Sequence, residues 1–203
     1  MDSLLQLDRE LLLWINGFHA PALDPVIAAA TSTAFWSPLY LWFIYLLFKR
    51  LDQKAWVALI AVALTVLMAD QITSGILKPW VGRLRPSHEP ELKDLLHLLT
   101  NNDGQAYRGG RFGFPSSHAA NAFGVVVFLW LTLRRHISWV GSMFAVAVLI
   151  SYTRLYAGVH YPSDVLVGAV IGSLCGLLGY LAYQKSIRLW WKATPPDTAS
   201  ENQ

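Results

Sequence analysis

The sequence predicts an all-α, polytopic membrane bundle of five to six helices, and three observations carry that prediction. Only 14% of the 203 residues are charged while 54% are hydrophobic, whereas a soluble domain carries about 25% charged residues. Nine Trp and eight Tyr are present, and these rings favour the membrane–water boundary. Five apolar stretches, near residues 25–48, 54–77, 117–134, 138–155 and 162–184, match the roughly 20 residues a helix needs to cross a bilayer core.

Taken in order, residues 3–18 carry Leu4, Leu5, Leu7, Leu11, Leu12 and Ile15 with Asp8, Arg9 and Glu10 between them. This pattern reads as an amphipathic helix lying at the interface rather than a sixth span. The same segment has no basic n-region, so targeting is expected to rest on the internal apolar segments. The fourth span is short and carries Arg154 at its end. Residues 1–193 read as one domain, and 194–203, polar throughout, as a disordered tail. Net charge is +3, with no basic block interleaved with aromatics, so nucleic acid is not an expected partner. The single Cys175 rules out an intrachain disulfide and leaves the redox compartment open. Oligomeric state is not legible.

Five spans place 49–53, 135–137 and the C-terminal segment on one side, and the N-terminus, 78–116 and 156–161 on the other. Each side holds eight Lys and Arg. The short loops at 49–54 and 134–136, where the positive-inside bias acts most strongly, mark the first side as cytoplasmic. The other side is then extracytoplasmic.

On that second side, three separate sequence groups converge at span ends. Lys78-Pro-Trp-Val-Gly-Arg-Leu-Arg85-Pro86 offers two cations at a corner where Pro79 and Pro86 are expected to stop the helix. Arginine suits bidentate phosphate contact; Arg83 reads as either a helper or an interfacial anchor. Phe114-Pro-Ser-Ser-His118 opens a span with Ser116 as N-cap, so free N–H groups and a positive dipole end face an anion. His118, in that first turn, can donate a proton to a leaving oxygen. Thr153-Arg154 is followed by His160, Pro162 and Asp164. Pro162 suits the first helical position, so Asp164 can reach back to His160, fix its tautomer and free the other ring nitrogen to attack. Each group alone reads equally well as interfacial anchoring or capping. Together on one face they point to a phosphate site.

These residues resemble the three signature motifs of the type 2 phosphatidic acid phosphatase (PAP2) superfamily over about residues 20–185. The resemblance implies His160 as nucleophile, Asp164 as its orienter, and His118 as general acid and then base. It implies Lys78, Arg85, Ser116, Ser117 (through its N–H) and Arg154 as phosphate ligands, with no cofactor. Ser117 stands where the family usually has Gly, and Thr153 where it usually has Ser. The implied partner is a membrane lipid phosphate whose tail stays in the bilayer. Among bacterial relatives the outward-facing site favours undecaprenyl diphosphate, with phosphatidylglycerol phosphate, phosphatidic acid or lipid A as alternatives. A small transporter would also place charges in spans, but it needs neither Pro-Ser-Ser-His nor the His160/Asp164 pair.

No carboxylate cluster suited to Mg²⁺ or Ca²⁺ accompanies the motifs. Phosphate release by purified protein is therefore expected to survive excess chelator; loss of activity restored by added metal would overturn this.

Overall fold

A computed structural model describes residues 2–100 and 104–193; the tail expected to be disordered lies outside them. Its named elements are all helical. They are α1 (Asp2–Asn16), α2 (Asp24–Thr31), α3 (Ser37–Leu51), α4 (Lys54–Asp70), a π-helical segment (Gln71–Leu77), α5 (Lys78–Val81), α6 (Ser117–Leu133), α7 (Met143–Tyr156) and α8 (Pro162–Ala193). Short 3₁₀ turns join several of them.

Lys54–Val81, Ser138–Tyr156 and Pro162–Trp190 are long and apolar enough to cross a membrane, and Ser117–Leu133 is a shorter apolar helix. The stretch expected as one span over 25–48 is instead a pair, α2 and Thr33–Leu51, bent by 78°. Ser32 leaves helical geometry (φ −80°, ψ 132°). The break frees carbonyls at the end of α2, and the Trp36 indole N–H donates to one of them, Ala30 O, at 2.8 Å. Hydropathy does not register such a break, because both halves are apolar.

Pro79 does not end the second span as expected. The helix runs on as a π segment in which the Lys78 N–H reaches back to Thr73 O. Pro79 then falls in the first turn of α5, where a missing donor costs nothing. The true stop is Gly82, whose φ of +65° is the left-handed cap conformation open to glycine.

At the far end from the motifs, Leu46, Leu47, Ala55, Ala58, Phe128, Leu133 and Tyr183 form the main core. Outward faces carry large apolar side chains at helical spacing, among them Trp56, Ile60 and Leu64 on α4 and Leu166, Val170 and Leu174 on α8. An exposed stripe of this kind suits lipid and not water. α1, with 15 residues, spans about 22 Å and is too short to cross. It exposes Leu4, Leu5, Leu7, Leu11 and Trp14 and buries Asp8, Leu12 and Asn16 against the bundle, as an interfacial helix should.

The tightest seam joins α6 and α8. A Cβ at Gly168 would strike Ser116 O, one at Gly172 would strike Ala120 O, and one at Gly176 would lie 2.5 Å from Gly124 O. The glycines let two backbones meet, the small-residue packing that membrane helices use in place of a hydrophobic drive. Because α6 and α8 both begin at the motif end, two helix N-termini point there side by side.

Between Glu89 and Gly113 the described residues, 89–100 and 104–113, form no α-helix. Leu92 and Leu96 pack with Leu12 and Tyr161, and Leu99 packs with Tyr156 and Val159. Leu92 and Leu96 thus help hold α1 to the body, while Leu95 stays exposed.

Gly172→Ala should destabilise the protein by about 1–3 kcal/mol through overpacking, outweighing its better helix propensity. Thermal unfolding in detergent would read this. Gly110→Ala, where the new methyl meets nothing within 4 Å, should leave the midpoint unchanged.

Candidate active site

The three motif groups meet at one end of the bundle. Lys78 sits one turn beyond Ser74, which is itself one turn beyond Asp70. Ser74 Oγ donates to Asp70 Oδ1 (3.1 Å), and Lys78 Nζ donates to Ser74 Oγ (3.2 Å) and to Ser117 Oγ (2.8 Å). The intramembrane Asp70 thus anchors the ammonium from behind, and the departure at Ser117 adds a contact to it.

Beyond Gly82 the chain is extended. The Arg85 N–H donates to Arg111 O (3.1 Å), and the Gly113 N–H donates to Arg83 O (2.9 Å). This short antiparallel pairing fixes Arg85 beneath the motif-two loop. Arg85 is 9% exposed. Its Nε donates to Phe112 O (3.2 Å), and its Nη1 lies 3.3 Å from Val159 O and 3.0 Å from His160 Nε2. Gly113 makes room for this, since a Cβ there would lie 3.1 Å from both Arg85 Cγ and Asp164 Oδ2.

Ser116 is buried and caps α6, its side chain accepting from the Ala119 N–H (3.5 Å). Its own N–H donates to Asp164 O (2.9 Å), which ties the second motif to the third. His118 follows in the first turn, within the field of Arg154, Arg85 and Lys78. Arg154 is 1% exposed. Its Nη2 donates to Tyr107 Oη (3.0 Å), while its Nε and Nη1 have no hydrogen-bond partner among the described residues. A buried guanidinium with two uncommitted donors has the capacity to seat an anion.

His160 is fully buried. Its Nδ1 lies 3.3 Å from Asp164 Oδ2, which also accepts from the Tyr161 N–H (2.9 Å). Arginine can only donate, so Nε2 beside Arg85 must present its lone pair and the proton must rest on Nδ1. The tautomer follows from the network. Burial, and then the charges of Arg85, Arg154 and Lys78, hold the ring's proton affinity well below its ordinary value.

All eight residues that the motifs marked are therefore brought to one place. Arg83, left between helper and anchor, is no loose anchor. It bridges Asp164 Oδ1 (3.0 Å) and Asp8 Oδ2 (2.7 Å). Asp8 and Gly113 were not foreseen. Asp8 looked like part of the polar face of an interfacial helix, and the only signal for Gly113 was its place just before Phe114-Pro-Ser-Ser-His118.

The PAP2 superfamily pattern matches residues 60–188, which contain all three motif groups. The chain belongs to the PAP2 superfamily. It is 42% identical over 93% of its length, and 83% of the relative's, to a lipid A 4'-phosphatase of Bacteroides thetaiotaomicron. It is 31% identical over 97% of its length, and 81% of the relative's, to a lipid A 4'-phosphatase of Porphyromonas gingivalis. Among solved structures it resembles Aquifex aeolicus LpxE, with a TM-score of 0.60 and 30% identity over 84% of this chain and 92% of that one. This PAP2 protein is a membrane hydrolase that acts on lipid phosphate esters.

Because the native ring resists protonation while an unfolded His takes up a proton near pH 6.5, His160 favours unfolding as pH falls through that value. In the folded protein the His160 imidazole signal, assigned by its loss in His160→Asn, should hold its neutral position from about pH 8 to about pH 6. Titration near 6.5 would contradict the burial argument.

Proposed function

We propose that the protein removes a phosphate monoester from lipid A at the extracytoplasmic face of the bacterial inner membrane, with His160 as nucleophile. The observation that carries the chemistry is the capture of both His160 ring nitrogens. Nδ1–H points to Asp164 at 3.3 Å, and the Nε2 lone pair lies among cations, 3.0 Å from Arg85. The substrate preference draws its support from the 42% identity to a lipid A 4'-phosphatase over most of both chains. That similarity moves the preference away from undecaprenyl diphosphate, which only the outward orientation had favoured.

In the proposed reaction, Arg85, Arg154, Lys78 and the N–H groups at the start of α6, those of Ser117 and its neighbours, hold the non-bridging oxygens. His160 Nε2 attacks phosphorus, a P–N bond forms, and the bond from phosphorus to the lipid oxygen breaks. His118 gives its proton to that oxygen, so the lipid leaves as an alcohol. A water then gives a proton back to His118 and attacks phosphorus. The P–N bond breaks, inorganic phosphate leaves and His160 is restored. The Ser116 cap and its bond to Asp164 O keep the α6 N–H groups and the His160–Asp164 pair in fixed relation.

Phosphate release from lipid A, undecaprenyl diphosphate, phosphatidylglycerol phosphate and phosphatidic acid, each with His160→Ala in parallel, tests the reading. Lipid A should be turned over fastest, with the variant at background. Faster release from undecaprenyl diphosphate would displace lipid A as substrate, and an active His160→Ala would remove the histidine mechanism.

A further inference from the structure

Asp8 lies on α1, far upstream of the three motif groups, yet it is 8% exposed and both its oxygens are engaged. Oδ1 accepts from the Ser163 N–H at 2.9 Å. Oδ2 accepts from Arg83 Nη2 at 2.7 Å and also from Ser163 Oγ. The Ser163 N–H belongs to the first turn of α8, where backbone donors have no partner within the helix. Asp8 supplies the acceptor that an N-cap side chain usually provides, but from a different helix.

Arg83 carries the contact inward. Its Nη1 donates to Ser163 Oγ (2.8 Å) and to Asp164 Oδ1 (3.0 Å), and its guanidinium carbon lies 3.8 Å from the centre of the Tyr161 ring. Two carboxylates thus share one planar cation, pressed on the residue that follows His160. The Asp164 side chain has no exposure at all and the Asp8 side chain 9%, against 20% for the side chain of Arg83. A solvated surface pair, worth little and free to wander, does not describe this geometry. Asp164 orients His160 through Oδ2, so whatever fixes Oδ1 also fixes the plane in which Oδ2 can meet the imidazole.

We infer that Asp8 and Arg83 are positioning residues for the phosphatase reaction, acting on His160 through Asp164 and the first turn of α8. The inference rests on the reading of His160 as nucleophile. It also gives α1 a part in the chemistry: the helix whose outer face carries exposed Leu4, Leu7, Leu11 and Trp14 holds the catalytic corner from its inner face.

The test is steady-state kinetics in detergent on whichever panel lipid is hydrolysed fastest, for Asp8→Ala, Asp8→Asn, Arg83→Gln, Asp8→Ala/Arg83→Gln and His160→Ala. Misplacing a reacting group lowers turnover more than binding. Asp8→Ala and Arg83→Gln should each reduce kcat by about 10- to 100-fold and change KM by less than about threefold. The double variant should lose less than the product of the two single losses, because the Asp8–Arg83 contact is common to both. Asp8→Asn, isosteric and still able to accept from Ser163, should lose less than Asp8→Ala and serves if the alanine variant does not fold. Wild-type kcat in the Asp8 variants beside a dead His160→Ala overturns the inference. So does a loss confined to KM, or a double variant in which the single losses multiply. An active His160→Ala overturns the nucleophile reading instead.

Discussion

Three cations gathered around one buried imidazole repel one another, and the architecture at this end of the bundle is organised by the need to hold them. Two unit charges about 6 Å apart repel by roughly 3 kcal/mol at an effective dielectric of about 20. Two parallel helix N-termini add positive potential at the same spot. Each cation is therefore restrained by a different part of the chain. Lys78 is tied back through Ser74 to Asp70, Arg85 by Phe112 and Val159 carbonyls, and Arg154 by Tyr107. The restraint leaves donors uncommitted on Arg154. A multiply charged phosphoryl group relieves the repulsion and satisfies those donors together, which is why such a cluster selects an oxyanion.

The same constraint explains why the site lies where several helices start or stop. At this end of the bundle the first turns of α6 and α8 present backbone N–H groups that have no partner within their own helix. The Ser116 N–H bonded to Asp164 O locks those turns together, so the groups proposed as anion donors, general acid and nucleophile share one rigid base. The far end of the bundle is ordinary apolar packing and supplies the stiffness that this base requires.

Much of this was legible in the sequence. The helical membrane bundle, the convergence of Lys78, Arg85, His118, Arg154 and His160, and the Ser116 cap followed from hydropathy, charge and helix-end chemistry. The misses share a cause. Asp8 and Arg83 meet Asp164 from distant sequence positions, and no spacing rule links an interfacial helix to a span end. The bend at Ser32 and the π segment before Pro79 are settled by how individual carbonyls find donors, which an apolar profile averages away. Leu92 and Leu96 find their partners on α1 and at Tyr161, contacts that no local pattern announces.

The glycine seam carries a further implication. Asp164, Gly168, Gly172 and Gly176 stand four residues apart on α8, facing Ser116, Ala120 and Gly124 at the same interval on α6. Chemistry and membrane packing are thus written in one phase along a single ridge. A residue gained or lost between Asp164 and Gly168 would turn the seam by about 100° relative to the imidazole's partner, so the helices could mate or the pair could align, but not both. Length in that turn is more tightly held than residue identity, and an α8 transplanted from a relative would have to keep the interval before it kept anything else.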